Sequence, residues 1–306
     1  MRLMKITTIL VLVTNLALTA FAQQPRQTTG LKDPPWLEEE RDKRIVYTAP
    51  GMGQVNVQKD VTYKCVENTE LKMDVYFPPG LSRGEQRPVV IFIHGGSLPS
   101  NLLTQPKEWG EFRSFGELMA VSGFVAVTFN HRFYNSLNSL PDSQSDLLAL
   151  IDYLRSHADT FQINKDCITL WTFSGGGLLL TQAMRESPPY IRALVAYYTT
   201  LDLKFIEKAR PGTIAENVMR EFSPLNLLED RGKAIPPIFV VRAGLDRPET
   251  NAVIDQFLQL AIIKNVNIDF SNHMDGHHGF DILDNNDRSR HIIQRTVEFI
   301  RAYNQE

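Results

Sequence analysis

A strand-like apolar run breaks off at Ser174 and continues into three glycines. Residues 168–173 are almost all β-branched or aromatic, which is typical of a buried strand. A serine on a sharp strand-to-helix turn has a strained backbone, so small residues are needed two positions on either side of it. Gly176 meets this requirement downstream, whereas Thr172 stands upstream, where glycine is usual. The run therefore predicts a strand, a tight turn that exposes the serine hydroxyl, and a helix.

Two later motifs supply an acid and a base for this serine. One apolar run, residues 238–243, is followed closely by Asp246, and a second strand-like run, residues 266–270, precedes the adjacent His277 and His278. A serine becomes a nucleophile when a histidine accepts its proton and a carboxylate orients that histidine. A catalytic triad needs these three residue types, and in this chain they follow one another in the order serine, acid, histidine.

A glycine turn earlier in the chain offers backbone hydrogen-bond donors. The apolar run at residues 88–93 leads into His94, Gly95 and Gly96. Backbone N–H groups can approach a developing oxyanion closely only where side chains are absent. The N–H of Gly175 follows the serine at a predicted helix start, where the helix dipole favours negative charge. We expect Gly95, Gly96 and Gly175 to line an oxyanion hole.

In these motifs the chain resembles the α/β-hydrolase superfamily, in its small carboxylesterase and lipase-like branch with a His-Gly-Gly oxyanion motif. The resemblance extends from about Tyr63 to the C-terminus. It implies that Ser174 is the nucleophile, Asp246 the orienting acid and His278 the general base. In related enzymes a small residue and an aromatic residue follow the histidine, so the resemblance favours His278, which precedes Gly279 and Phe280, over His277. The Thr-Phe-Ser-Gly-Gly run differs from the Gly-Asp-Ser-Ala-Gly of the hormone-sensitive-lipase branch and favours feruloyl-esterase-like or dienelactone-hydrolase-like relatives.

Segments of helical periodicity alternate with strand-like runs. Apolar residues recur at three- and four-residue spacing in residues 111–122, 142–157, 175–185, 249–264 and 289–303. This alternation predicts the α/β class: a mostly parallel, twisted sheet with helices on both faces, whose ligands bind beyond the carboxyl ends of the strands. Between the strand predicted at 193–198 and the acid strand, residues 214–222 are expected to form one short covering helix, so that the lid is minimal.

The N-terminal segment resembles an export signal. Basic residues precede an apolar stretch at residues 6–18, and Ala20 and Ala22 occupy the positions that a signal peptidase reads. We expect cleavage between Ala22 and Gln23 and export to a periplasm or secretion to the medium. Stable membrane insertion after cleavage is not expected, since the stretch is too short for a typical span. An uncleaved membrane anchor is the alternative.

Length and composition fit one catalytic domain after this signal. The chain has 306 residues, 43% of them hydrophobic, which is enough for one large core. We expect a signal peptide at 1–22, an N-terminal extension at 23–60 and an α/β-hydrolase domain at 61–306. The formal net charge of −3 argues against binding to nucleic acid. Cys65 and Cys167 are expected to be buried free thiols rather than a disulfide.

The resemblance implies hydrolysis of a small-molecule ester through an acyl-enzyme, with no metal or organic cofactor. A minimal lid favours soluble, short-acyl esters. Two alternatives remain open: an amide or peptide hydrolase that uses the same triad, and a non-catalytic binding module on a hydrolase fold. Nothing in the sequence decides the oligomeric state.

Other polar residues near the histidines raise two further alternatives. His273 and Asp275 lie close to the histidine pair and together could suggest a metal site, but their spacing matches no helical metal-binding motif. Asp275 and Asp281 are alternative acids for the triad. We prefer Asp246, because the acid is expected on the loop after the preceding strand, and we expect Asp281 to cap the following loop.

Overall fold

Parallel strands form the centre of a sheet with an antiparallel pair at one edge. The computed structural model describes residues 41–304 except 97, 101, 103, 104 and 134. Its eight-stranded sheet has the order β1-β2-β4-β3-β5-β6-β7-β8, in which β1 with β2 and β2 with β4 are antiparallel and all other neighbours are parallel. The strands are β1 (Asn56–Val66), β2 (Thr69–Phe77), β3 (Arg87–Ile93), β4 (Val125–Phe129), β5 (Ile163–Phe173), β6 (Ile191–Tyr197), β7 (Ile238–Ala243) and β8 (Ile268–His273). The predicted mostly parallel α/β sheet is confirmed.

Helices of this part of the chain connect most of the strands. They are α1 (Gly110–Val121), α2 (Leu140–Ser156), α3 (Thr181–Glu186), α4 (Lys204–Ala209), α5 (Glu216–Glu221), α6 (Pro224–Arg231), α7 (Pro248–Ile263), α8 (Phe280–Leu283) and α9 (Asp287–Asn304). Four of the five predicted helices, now α1, α2, α7 and α9, match the sequence periodicity to within two residues at each end. None of the described helices has the length and apolar character needed to cross a membrane.

The fifth predicted helix, at residues 175–185, differs at its start. Residues Ser174–Leu180 form a 3-10 helix, and regular α-helix begins only at α3. This stretch opens with glycines, which are weak helix formers, and it packs tightly against β3. A Cβ on Gly176 would lie 2.7 Å from the carbonyl oxygen of Ile93. Tertiary contact therefore outweighs the ordinary preference for an α-helix here.

Apolar side chains cover both faces of the sheet. Along β5, Ile168 and Leu170 belong to a buried cluster that also contains residues of α2, α6 and α7. The alternate residues Trp171 and Phe173 belong to a second cluster, which includes residues of α1 and α9. A strand directs successive side chains to opposite faces, so a strand covered on both faces is apolar throughout. The prediction of helices on both faces is confirmed.

The sheet begins earlier than the sequence boundary at residue 61. β1 starts at Asn56, inside the range assigned to the N-terminal extension, and Ile45 is buried in the cluster that contains α1. The predicted signal segment and its cleavage position between Ala22 and Gln23 lie outside the described residues. Export therefore stays a prediction.

The connection between β6 and β7 contains α4, α5 and α6. The short helix expected at residues 214–222 is α5, and Ile214, Val218 and Phe222 are buried in the core cluster beside α6. This covering segment is thus packed onto the body of the protein by its own apolar side chains.

The two cysteines occupy different environments. They are not joined in a disulfide, and only Cys167, in β5, is buried. Cys65 is exposed because it lies on β1, the outermost strand of the antiparallel edge. The expectation that both thiols are buried was therefore wrong for Cys65.

Candidate active site

The three predicted triad side chains meet at the carboxyl edge of the parallel strands. Nε2 of His278 lies 2.9 Å from Oγ of Ser174, and Nδ1 of the same ring lies 2.7 Å from Oδ2 of Asp246. Both distances are those of good hydrogen bonds. With its proton on Nδ1, the imidazole donates to Asp246 and accepts from the serine hydroxyl. Ser174 and Asp246 lie 104 and 32 positions before His278 in the chain, and the fold brings both within hydrogen-bond distance of its ring.

Ser174 stands on the sharp turn that the sequence predicted. Its φ of 51° lies in the left-handed region, which is costly for a residue with a side chain. The turn is held because the carbonyl of Ser174 accepts a hydrogen bond from the N–H of Thr200, at 2.9 Å. Thr172, the residue that departs from the usual glycine, is fully buried and donates its hydroxyl to the carbonyl of Val195 at 2.9 Å. The neighbouring strand β6 thus accommodates the larger side chain.

Asp246 is held in place on the loop after β7. Its side chain is only 2% exposed, and its Oδ1 accepts the backbone N–H of Arg247 at 2.7 Å. The preceding Leu245 donates its N–H to the carbonyl of Gly276, at 2.8 Å, on the loop that carries the histidine. This bond links the loop that carries the carboxylate to the loop that carries the imidazole.

The neighbouring histidines have other partners. His277 is 58% exposed at its side chain, and its Nδ1 lies 2.8 Å from Oδ1 of Asp284. His273 is buried, with Nε2 2.9 Å from the hydroxyl of Ser289. Within the described ranges, no group of three or more His, Cys, Asp or Glu side chains is arranged to hold a metal ion. Among these histidines, His278 is the one that reaches Ser174.

The three predicted oxyanion residues are packed against one another beside the serine. A Cβ on Gly175 would lie 2.6 Å from the carbonyl oxygen of Gly96, and a Cβ on Gly95 would lie 2.8 Å from Cβ of Ser174 and 3.1 Å from the nitrogen of Gly175. Real Cβ atoms essentially never lie within 3.0 Å of such atoms, so the two shorter distances exclude a side chain at either glycine. The absence of side chains therefore allows the glycine turn after β3 to lie directly against the serine turn.

A pair of buried histidines lies beneath this glycine turn. Nδ1 of His94 lies 2.6 Å from the carbonyl oxygen of Gly95, which requires the imidazole to donate from Nδ1. Burial lowers the pKa of His94 to about 4, although the bond to Gly95 opposes this effect. Burial, together with the adjacent His94, also lowers the pKa of His131 well below its usual range. Both rings are therefore neutral at pH 7.

Tyr198, which none of the sequence motifs includes, contacts the histidine. Its ring centroid lies 4.7 Å from that of His278, and its hydroxyl donates to Oδ1 of Asp281 at 2.7 Å. Asp281 was expected to cap a loop but is fully buried. One signal was available: Tyr198 ends the strand predicted at 193–198, which reaches the same sheet edge as the triad.

Known proteins resemble this chain over about half of its length. The family model BD-FAE matches residues 73–218. Carboxylesterase 3B of Mus musculus is 24% identical over 185 residues, which are 53% of this chain and 30% of that protein. This chain therefore spans less than a third of the length of that relative.

Solved structures share the fold at low sequence identity. Esterase 2 of Thermogutta terrifontis with bound propionate has a TM-score of 0.63 at 19% identity, covering 84% of this chain and 98% of that one. The same esterase phosphorylated by paraoxon has a TM-score of 0.62 at 20% identity, covering 82% and 94%. Sheet order and solved structures together show that the chain has the fold of the α/β-hydrolases, in which the proteins it resembles are esterases.

Proposed function

We propose that this chain is a serine hydrolase that cleaves carboxylic esters with short acyl groups through an acyl-enzyme. The observation that carries the proposal is the hydrogen-bonded line from Ser174 through His278 to the buried Asp246, at 2.9 and 2.7 Å. The esterase relatives support the choice of an ester as the bond that is cleaved. The ligand is thus a small-molecule ester, and the chemistry needs no cofactor.

In the first half-reaction, Nε2 of His278 accepts the proton of Ser174 while Oγ attacks the ester carbonyl. Asp246 keeps the proton of the imidazole on Nδ1 and stabilises the imidazolium that forms. The imidazolium then gives its proton to the departing alcohol, leaving the acyl group on Ser174. Water repeats these steps, with His278 again as the base, and releases the acid.

Backbone N–H groups of the glycine turn and of Gly175 hold the negative oxygen of the tetrahedral intermediate in this proposal. Donors aimed at that oxygen stabilise the transition state more than the substrate, and each contributes about 3 kcal/mol. The bond from His94 to the carbonyl of Gly95 supports this role, since that carbonyl and the N–H of Gly96 belong to one peptide unit. Fixing the carbonyl fixes the direction of the N–H.

A short acyl group is supported by two observations. The connection between β6 and β7 is packed onto the core through Ile214, Val218 and Phe222, and it adds no separate cap domain. The Thermogutta esterase, which shares the fold, has been solved with propionate. An amide or peptide substrate and a binding module without activity are the alternatives, and neither is favoured by a contact in the site.

The proposal is tested with a series of p-nitrophenyl esters from acetate to palmitate, and with a p-nitroanilide, on wild-type protein and Ser174→Ala. We expect turnover to fall steeply beyond butyrate, and the variant to lose at least about 1,000-fold in kcat/KM. Thermal unfolding of the variant should match that of the wild type, so that lost activity reflects lost chemistry. Retained turnover in Ser174→Ala would contradict the proposed nucleophile, and faster cleavage of the anilide would contradict the ester assignment.

A further inference from the structure

Tyr198 has an unusual backbone conformation at the end of β6. Its φ is 39°, in the left-handed region that bulky residues rarely adopt. Such a conformation costs of order 1 to 3 kcal/mol and persists only where surrounding contacts impose it. Here the N–H of Tyr198 is bound to the carbonyl of Val241 on β7, at 2.8 Å. Besides this backbone bond, contacts of the Tyr198 side chain hold the residue in place.

The ring of Tyr198 connects His278 with two carboxylates that the triad does not use. It contacts the imidazole with ring centroids 4.7 Å apart and planes inclined by 57°. On the far side of the ring, the hydroxyl lies 2.7 Å from Oδ1 of Asp281 and 3.3 Å from Oε1 of Glu111. Tyr198 and Asp281 are both buried.

The segment at residues 44–46 covers this cluster. The N–H of Val46 donates to the carbonyl of Asp281 at 2.7 Å, and the N–H of Ile45 donates to the hydroxyl of Ser114 at 3.0 Å on α1, the helix that carries Glu111. Asp281 is fully shielded from solvent beneath it. A charge on Asp281 therefore acts on nearby groups with little screening by water.

We propose that Tyr198 is a positioning residue for His278, and that Asp281, which holds Tyr198, is a second carboxylate that stabilises the imidazolium. The proposal rests on the role of His278 as the general base. Asp246 orients the imidazole through a direct hydrogen bond, whereas Asp281 acts through the tyrosine and through its charge. The strained backbone of Tyr198 places the ring where it can contact both groups.

The charged and titratable groups around this pair define the expected pH dependence. Asp246, Ser174 and Tyr198 face His278, while Tyr198, Glu111 and the imidazole itself face Asp281. Burial raises the pKa of Asp281 to about 6, although the bond from Tyr198 and the proximity of His278 oppose this rise. Above that pH the carboxylate is negative and favours the charged imidazole, and below it the carboxyl is neutral.

The test measures the pKa of His278 by NMR in wild-type protein and in Asp281→Asn. The chain contains seven histidines, and the His278 resonance is the one absent from the spectrum of His278→Gln. We expect Asp281→Asn to lower the pKa of His278 by roughly 0.5 to 1 unit. The acid limb of kcat/KM for p-nitrophenyl butyrate should move to lower pH by the same amount. An unchanged pKa in the folded variant would overturn the proposal.

Tyr198→Phe provides a second variant that keeps the ring and removes the hydroxyl. Loss of its bond leaves Asp281 neutral to a higher pH, so we expect a smaller shift of the His278 pKa in the same direction. The matched control is Tyr197→Phe, which removes the buried hydroxyl bound to Thr296 at 2.6 Å. It should leave the His278 pKa unchanged, and equal shifts in both tyrosine variants would contradict the assignment.

The NMR titration separates this inference from the proposed function. Wild-type protein without activity on any ester would refute ester hydrolysis, yet the pKa of His278 would still respond to Asp281→Asn if the inference holds. Conversely, normal turnover combined with an unshifted pKa would refute the inference alone. A purely structural role for Tyr198 predicts a lower unfolding temperature in Tyr198→Phe without any change in the pH profile.

Discussion

The imidazole of His131 stacks on that of His94, with ring centroids 3.7 Å apart and planes inclined by only 15°. Both rings are buried, and His94 holds the carbonyl of Gly95. A proton added to either ring would place a charge in the core and a second imidazole directly against it. The stability of the glycine turn therefore depends on two histidines that remain neutral.

We expect acid to destabilise the protein through this pair. An unfolded histidine binds a proton near pH 6.5, whereas His94 in the folded state does so only near pH 4. Between these values the unfolded chain binds more protons, so stability is complete above pH 6.5 and is lost as the pH falls towards 4. For His94 alone the loss is about 3 kcal/mol at pH 4.

His131→Phe tests this expectation, because phenylalanine fills the buried site but cannot take up a proton. Urea unfolding at pH 7.5 and 4.5 should show a smaller difference in the free energy of unfolding for the variant than for the wild type. His157→Gln is the control, since His157 also stacks on an aromatic ring but is exposed. The control should retain the wild-type difference in the free energy of unfolding between the two pH values. If His131→Phe retains it as well, His131 does not contribute to acid sensitivity.

The adjacent histidines allow a paired test of the base. His278→Gln should lower kcat/KM for a short ester by at least about 1,000-fold, since its Nε2 is the atom hydrogen-bonded to Oγ of Ser174. His277→Gln should retain activity within a few-fold, because His277 pairs with Asp284. Initial rates on p-nitrophenyl butyrate decide between them. The assignment fails if His277→Gln is the more damaged variant.

Gly175→Ala tests the close packing of the two turns. The added methyl group would lie 2.6 Å from the carbonyl oxygen of Gly96, so the glycine turn must move away. We expect kcat to fall about 100-fold or more, comparable to the loss of one oxyanion donor, with less effect on KM. Gly80→Ala is the control: its φ of 72° makes alanine unfavourable, but nothing lies within 4 Å of the new Cβ. That variant should lose about 1 kcal/mol of stability and keep its activity.

Lys107 should be a strong determinant of stability away from the site. Its side chain is 3% exposed, and Nζ lies 2.9 Å from Oδ1 of the buried Asp74 and 2.9 Å from Oδ1 of Asp60. Lys107→Met leaves Asp74 buried without its cation, and such a change costs about 3 to 5 kcal/mol. Lys72→Met, which breaks an exposed pair with Glu70, should cost less than about 1 kcal/mol. Urea unfolding at pH 7.5 measures both, and equal losses would contradict this reading of the ion pair.

The spacing of apolar residues along the chain was enough to predict most of the long helices. The apolar spacing of residues 249–264 reflects one buried helix face, so it predicted α7 to within one residue. The same reasoning did not predict the 3-10 helix after Ser174, because that segment is shaped by contact with β3 rather than by its own preferences. Nor could it predict the exposure of Cys65, which depends on the position of β1 at the sheet edge.

The α/β class, the order of the motifs and the glycines that allow close backbone contact could be predicted from the sequence, since these depend on residue type and short-range spacing. The contact of His278 with Ser174, and that of His277 with Asp284, became known only from the folded chain. The same holds for the position of Tyr198 between His278 and Asp281. These contacts join residues far apart in the chain, and their geometry is set by how the strands and loops pack together.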